Sequence, residues 1–484
     1  MIDMMVSNNF ILQTIQKGAI SGLILVVFAL PVWGEKADVR YLDNGEARIG
    51  IDLSIGGAIT HFGRSGEEEN LINSHDWGHQ VQMSFYSGPT PYAPNGHQPA
   101  EHWKQLGWNP IQSGDCYDNR SEVLDFHQDK NALYVKCRPM HWPLNNVPGE
   151  CIFESWITLD GMTAEVRSKI TNQRDDTTLY PARGQELPAV YTNGPYYRLV
   201  TYSGDAPFSG EALTTIPQKT DGGFPWTHFL ATEHWAALVN DEDWGVGIWS
   251  PESVQYVGGF AGKPGKGGPK DAPTGYVSPL NTETLDHNIE YAYAYTLILG
   301  SLDSIRAYAL SRKPEKTLRW EFDGSRAHWH ASGMEEDGWP IGRSWNMQVR
   351  EPNATLHSPT TFWRAEDVRL LVIEGDFPEE TSMRVCFRKH ESGQFDEANA
   401  LTIGADKVDS GRCRIDLRDV AGYEGGMTGL RIDFPGAAPG AAVSLKRVVL
   451  YEKDPVAKWN QYYETQRRNR AWHHAIGFHG GMRH

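Results

Sequence analysis

CIFESWITL at Cys151–Leu159, TAEVRSKI at Thr163–Ile170 and EYAYAYTLIL at Glu290–Leu299 decide the fold. Apolar and polar residues alternate along each run, which places one face of an extended strand on a core and the other outside. Val, Ile, Tyr, Trp and Thr dominate, the residues that suit a pleated surface. Similar short runs lie at Ala47–Leu53, Ala132–Cys137, Trp235–Val239 and Gly245–Trp249, with Gly, Pro, Asn and Asp clusters between them. This pattern predicts a large all-β sandwich and excludes alternating βαβ units. Ser301–Ser311 is the best internal helix, and Pro455–Arg470 is a second candidate. A boundary is expected near 312–320. Beyond it, Val368–Ile373, Met383–Phe387, Ala400–Ile403, Cys413–Asp416, Met427–Phe434 and Val443–Tyr451 predict a second, smaller β-sandwich of jelly-roll type. Residues 453–484 read as a C-terminal helix and tail, and the final stretch Ala471–His484, with His473, His474, His479 and His484, reads as frayed rather than as a metal site.

The chain has 484 residues and a formal net charge of −16. That acidity speaks against a nucleic-acid partner, which calls for a basic footprint. Residues 1–34 read as an export signal: Lys17 precedes the apolar Gly18–Val32, and a cleavage point falls before Glu35. An uncleaved anchor is the alternative. After cleavage nothing is left for stable membrane insertion, so the expected location is periplasmic or secreted. The five cysteines allow bridges Cys137–Cys151 and Cys386–Cys413 with Cys116 left over, or five free thiols. No CxxC, P-loop, GxSxG, HExxH or helix-opening GxGxxG occurs.

Aromatic residues interleave with amides, carboxylates and histidines at Asn73–Ser87, Trp103–Asp118, Met140–Trp156 and Tyr180–Tyr202. Sugars present C–H faces that stack on rings and hydroxyl rims that need paired donors and acceptors. Glu186, among aromatic residues, is the first candidate for a general acid, and Asp115 is the second carboxyl of an acid/base pair. A salt bridge to Arg183 and a turn role are their respective structural alternatives. His75, Asp76 and His79 form an HDxxH string in which His79 reads as a sugar-contacting or catalytic histidine rather than a metal ligand. Gln82, Tyr86, Trp108, Asn109, Gln112, Arg183, Tyr191, Asn193 and Tyr197 are the expected cleft lining. Trp77, Trp103, Trp108 and Trp142 are the expected sugar platforms. Glu150 and Glu154 are held in reserve. Gly262–Lys270 (GKPGKGGPK) reads as a solvated loop or a cationic flap for an acidic ligand. No cofactor and no catalytic metal are expected, although the acidic turn Glu335–Asp337 leaves room for structural calcium.

With these motifs in place, residues 37–310 resemble galactose-mutarotase-like β-supersandwich proteins. The resemblance rests on the strand pattern, on NSHDWGHQVQMSFYS and on EYAYAYTLIL. It implies a carbohydrate-active domain over 37–315, and it maps the family's His/Glu pair onto His79 and Glu186. Residues 320–452 are similar to galactose-binding-like modules. The expected function is therefore degradation of a polysaccharide or oligosaccharide substrate by a glycoside hydrolase using Glu186 and Asp115. One alternative is a polysaccharide lyase drawing on Tyr191, Tyr197, His79, Arg183 and the lysine loop. The other is a non-catalytic glycan-binding envelope protein.

Overall fold

A computed structural model describes residues 37–452 apart from 220–224, 315–317, 379–381, 405 and 407. The export signal and the C-terminal tail lie outside the described residues. The chain forms two all-β sandwiches built of antiparallel sheets.

The three opening stretches sit side by side in the middle of a nine-stranded sheet. Cys151–Asp160 pairs along its length with Thr163–Asn172, which pairs in turn with Glu290–Ser301. Tyr291, Tyr293 and Tyr295 point inward while Ala292 and Ala294 face out. The inward Tyr291 and Tyr293 rings pack edge-on against Phe85, itself 5.5 Å from Phe153. Each fully buried phenylalanine of this layer stabilises the fold by roughly 1.5–3 kcal/mol. The facing ten-stranded sheet runs through eight strands in the order Val39–Asp43, Ala47–Asp52, Ala58–Arg64, Val81–Ser84, Arg183–Asn193, Thr274–Glu283, Gln255–Ala261, Trp226–Leu230, with Pro110–Ile111 and then Met140–His141 branching from Val81–Ser84. A helix over Leu302–Leu310 starts where Ser301 Oγ accepts from the Ser304 amide, and it lays Leu302, Ile305 and Ala309 against Trp235 and Val239.

The second sandwich pairs a seven-stranded with a six-stranded sheet around Trp320, Phe322, Trp329, Trp345 and Trp363. Much of the tryptophan is therefore core. A buried ion network joins the sandwiches. Arg326 makes a two-pronged contact with Asp286 (2.5 and 3.0 Å) and a third bond to Glu336 (2.6 Å). Trp339 packs against both cores.

All five cysteines are free, and all but Cys116 are buried. Cys413 points into the second core, whereas Cys386 faces the opposite side of the six-stranded sheet toward Asp433. The bridges considered from the sequence do not form.

Candidate functional site

One face of the ten-stranded sheet packs on the core, and the other carries a group of aromatic and ionisable side chains. Strand register lays that outer face out in rows. Trp226 lies opposite Gly259, Gly259 opposite Tyr276, and Tyr276 opposite Tyr191. A Cβ on Gly259 would fall 2.4 Å from the Pro225 carbonyl oxygen and 3.3 Å from the Trp226 ring. Glycine there lets Trp226 and Tyr276 come within 4.9 Å between centroids, and Tyr276 and Tyr191 within 4.8 Å. The three rings form an aromatic shelf, with Trp226 and Tyr191 partly exposed.

Glu186 lies in a neighbouring row, paired with Leu280 on one side and Ser84 on the other. Strict alternation would send Glu186 and Tyr191 to opposite faces. A register shift between Glu186 and Val190 restores both to the outer face. Tyr276 donates its hydroxyl to Glu186 Oε1 at 2.5 Å and Tyr86 donates to Oε2 at 3.0 Å. Burial pushes the Glu186 carboxyl above its ordinary value, and the bonds from Tyr276, Ser84 and Tyr86 only partly offset that. The result is a partly exposed carboxyl biased toward its protonated form beside a stacking surface.

The loop of residues 73–80 closes one side of the shelf. Asn73 N donates to Tyr191 O (3.0 Å), and Tyr191 N donates to Gln80 O (3.1 Å). The tilted His79 ring then packs against Tyr191 with centroids 4.6 Å apart, and its Nδ1 lies 2.6 Å from Asp76 Oδ1. In the tautomer where Nδ1 donates to Asp76, Nε2 is left as a base. Burial works against ionisation of Asp76, but the His79 bond and charge hold its carboxyl below the usual value. The lysine-rich loop buttresses this segment, with Lys270 Nζ donating to Ser74 O at 3.0 Å.

The other expected residues divide sharply. Tyr86 and Tyr191 lie at the site. Arg183 does not bridge to Glu186. It ties Leu106 O (2.7 Å), Gln105 O (2.9 Å) and Ser87 O (3.2 Å) together, behind Tyr86. Asp115 is 1% exposed and accepts from the amides of Tyr117, Asn119 and Asn146 and from Asn119 Nδ2, so its carboxylate organises a loop. The lining role expected of Trp108, Asn109, Gln112 and Asn193 meets buried side chains bonded to Glu150, Phe85 O, Gly56 O and Asn70 O respectively. Gln82 is likewise buried and holds the Trp77 and His79 carbonyls. Tyr197, just ahead of the strand Arg198–Thr201, donates its hydroxyl to Asp241 and packs edge-on against Phe260 rather than against the shelf. Glu150 is a structural carboxylate. Burial opposes its ionisation, but the His141, Tyr92 and Trp108 bonds outweigh that and set it at about 2. Glu154 pairs with Lys169.

Sequence reading missed Tyr276, Trp226 and Ser84. The alternation of TGYVSPL at 274–280 carried a signal for Tyr276, but its partner Glu186 is 90 residues away. Among the described residues, Cys386, Glu397 and Asp433 bring possible metal ligands within 4.8 Å of one another, yet Arg431 already donates to all three. The acidic turn considered for calcium is also engaged, Glu335 with Arg350 and Glu336 with Arg326.

No protein-family model matches the chain, and neither does any curated protein. Solved structures of similar fold include a galactose mutarotase related enzyme from Lactobacillus acidophilus, at 12% identity and a TM-score of 0.36, covering 55% of this chain and 98% of that one. A galactose mutarotase-like protein from Lactobacillus casei is 13% identical with a TM-score of 0.35, covering 54% of this chain and 100% of that one. Each is of the kind that the sequence resemblance names, and the likeness is one of fold.

Proposed function

We propose that the protein is an exported enzyme that cleaves glycosidic bonds in a sugar chain, with Glu186 as general acid. The observation that carries this reading is the burial-raised carboxyl of Glu186, held by two tyrosine hydroxyls beside an aromatic shelf. A carboxyl raised above its ordinary value keeps its proton to higher pH than a free one and can deliver it to a leaving glycosidic oxygen. Tyr191 and Trp226 offer ring faces for the sugar C–H surfaces. Asp115, spent on its loop, is replaced in this scheme by the Asp76–His79 pair as the base that activates water. Export rests on the reading of residues 1–34.

Elimination by a tyrosine base fits less well. Burial, together with the charge of Glu186, pushes the Tyr191 hydroxyl well above its ordinary value, away from the tyrosinate that such chemistry needs. A screen on diverse polysaccharides, read by both reducing ends and near-ultraviolet absorbance, separates the two reactions. Glu186→Gln should abolish turnover while retaining sugar binding. Full activity in that variant removes Glu186 from the mechanism, and binding without turnover in the wild type leaves a glycan-binding protein.

A further inference from the structure

The outer face of the six-stranded sheet in the second sandwich meets the row that holds Glu186. Gln255 lies opposite Leu280, and Leu280 lies opposite Glu186, so two strand spacings of about 5 Å each separate Gln255 from Glu186. Gln255 Oε1 accepts from Thr360 Oγ1 of the second sandwich at 3.1 Å. Thr360 Oγ1 in turn accepts from Arg388 Nη2 at 2.6 Å. A short relay thus runs from the row of Glu186 to a guanidinium on the other sandwich.

Arg388 is unusual for an acidic protein. Its Nη2 also donates to Thr428 O (2.9 Å) and its Nε to Thr428 Oγ1 (3.2 Å). Among the described residues no carboxylate pairs with it, and burial alone lowers its pKa. The neighbouring cations are all matched: Arg431 and Arg384 by Glu397 and Asp433, and Lys389 by Asp396. Phe395 lies between the Arg388 and Arg431 guanidiniums, 5.6 and 5.0 Å from its ring centre. Beside them His330 and His357 stack in parallel at 5.0 Å. His330 Nδ1 is buried without a hydrogen-bond partner. Arg388, His330, His357, Phe395 and Thr360 are all partly exposed, so this face is open to solvent.

A partly buried guanidinium without a counter-ion is costly, and an anion that supplies charge-assisted bonds offsets the cost. Burial keeps the His330 and His357 rings uncharged. We propose that Arg388 is the centre of an anion subsite, flanked by these two rings, that takes the carboxylate or sulfate group of an acidic sugar, one residue or more along a chain whose cleaved bond lies at Glu186. This deepens the proposed function and rests on it. It makes the second sandwich part of the substrate cleft rather than an appendage, and it places a local cation where the net charge of −16 alone would disfavour an acidic glycan.

Calorimetry on the full chain tests the subsite with three probes: an oligogalacturonate, a sulfated galactan oligosaccharide and a neutral galacto-oligosaccharide of equal length. One acidic probe should bind roughly 10- to 100-fold more tightly than the neutral one, the range expected of a charged hydrogen bond. Which acidic probe does so identifies the group. Arg388→Gln should remove that preference and leave the neutral affinity unchanged, and Arg388→Lys should restore part of it. Equal wild-type affinity for all three probes overturns the subsite alone, and this comparison stands even if the variants fold poorly. A preference that survives in a folded Arg388→Gln variant overturns it too. Binding of none of the probes overturns the subsite as one for these acidic chains, and the glycan reading itself falls only if the screen on diverse polysaccharides also finds neither binding nor turnover.

Discussion

Arg326→Met tests how the two sandwiches are held together. Arg326 is 6% exposed, and its partners Asp286 and Glu336 have side chains 3% and 5% exposed. Methionine keeps much of the side-chain volume but withdraws three short bonds, leaving two buried carboxylates with no cation between them. Breaking a buried pair in this way costs about 3–5 kcal/mol, mainly because the abandoned charge stays buried. If the second sandwich, roughly 130 residues, melts on its own, an entropy of about 2.1 cal/mol/K per residue turns 4 kcal/mol into a fall of about 15 °C. If both sandwiches melt as one unit of about 400 residues, the same loss lowers the melting temperature by only about 5 °C. Calorimetry therefore reports both the loss and the size of the cooperative unit. Arg326→Met combined with Asp286→Leu and Glu336→Leu should recover most of the stability, since the stranded charges are gone. A fall below about 1 °C in Arg326→Met, or a triple variant less stable than the single one, refutes the reasoning.

Four further outcomes are expected. His328 is desolvated, but Glu283 at 2.6 Å and Glu252 raise it to about 9, so its stabilising contribution is complete below pH 6.5 and disappears as pH rises through 9. Solvent screening limits the effect to about 1–2 kcal/mol, visible as a pH-dependent denaturant midpoint that His328→Gln flattens. Turnover should fall as pH rises through the elevated pKa of Glu186, because the acid loses its proton. Tyr276→Phe removes a bond that favours the ionised carboxylate, so the alkaline limb of the rate profile should move to higher pH, and an unmoved limb argues against Glu186 as the acid. Asp115→Asn should lower stability by about 1–3 kcal/mol while activity in the folded fraction persists, checked by urea titration alongside turnover.

The fold was legible because alternation is a local signal that the sheets obey. The strand through Tyr291, Tyr293 and Tyr295 points its rings inward as its sequence requires, and the helix found at Leu302–Leu310 lies within the stretch read as helical. The site was legible only in part. Glu186 and His79 stand at the shelf, but Tyr276 and Trp226 reach it through strand pairings that no nearby residue announces. The register shift after Glu186 also breaks the parity by which a reader would assign its face.

The residues that misled did so for one physical reason. Amides and carboxylates between aromatic residues suit a sugar, whose hydroxyls need planar donors and acceptors. They equally suit the backbone of a long buried loop, whose amides and carbonyls need the same partners once water is excluded. Asn109, Gln112, Asn193 and Asp115 serve the second purpose, each bonded to main-chain groups from distant or turning segments. Composition cannot separate the two uses, but a count of remaining partners can. On the outer face Glu186 takes only hydroxyl donors, and on the second sandwich Arg388 has threonine and carbonyl acceptors but no anion. Capacity left over after the protein has satisfied itself is what a ligand can use, so these two groups, and not the amide-rich loops, mark the ends of the surface on which substrate recognition should be sought.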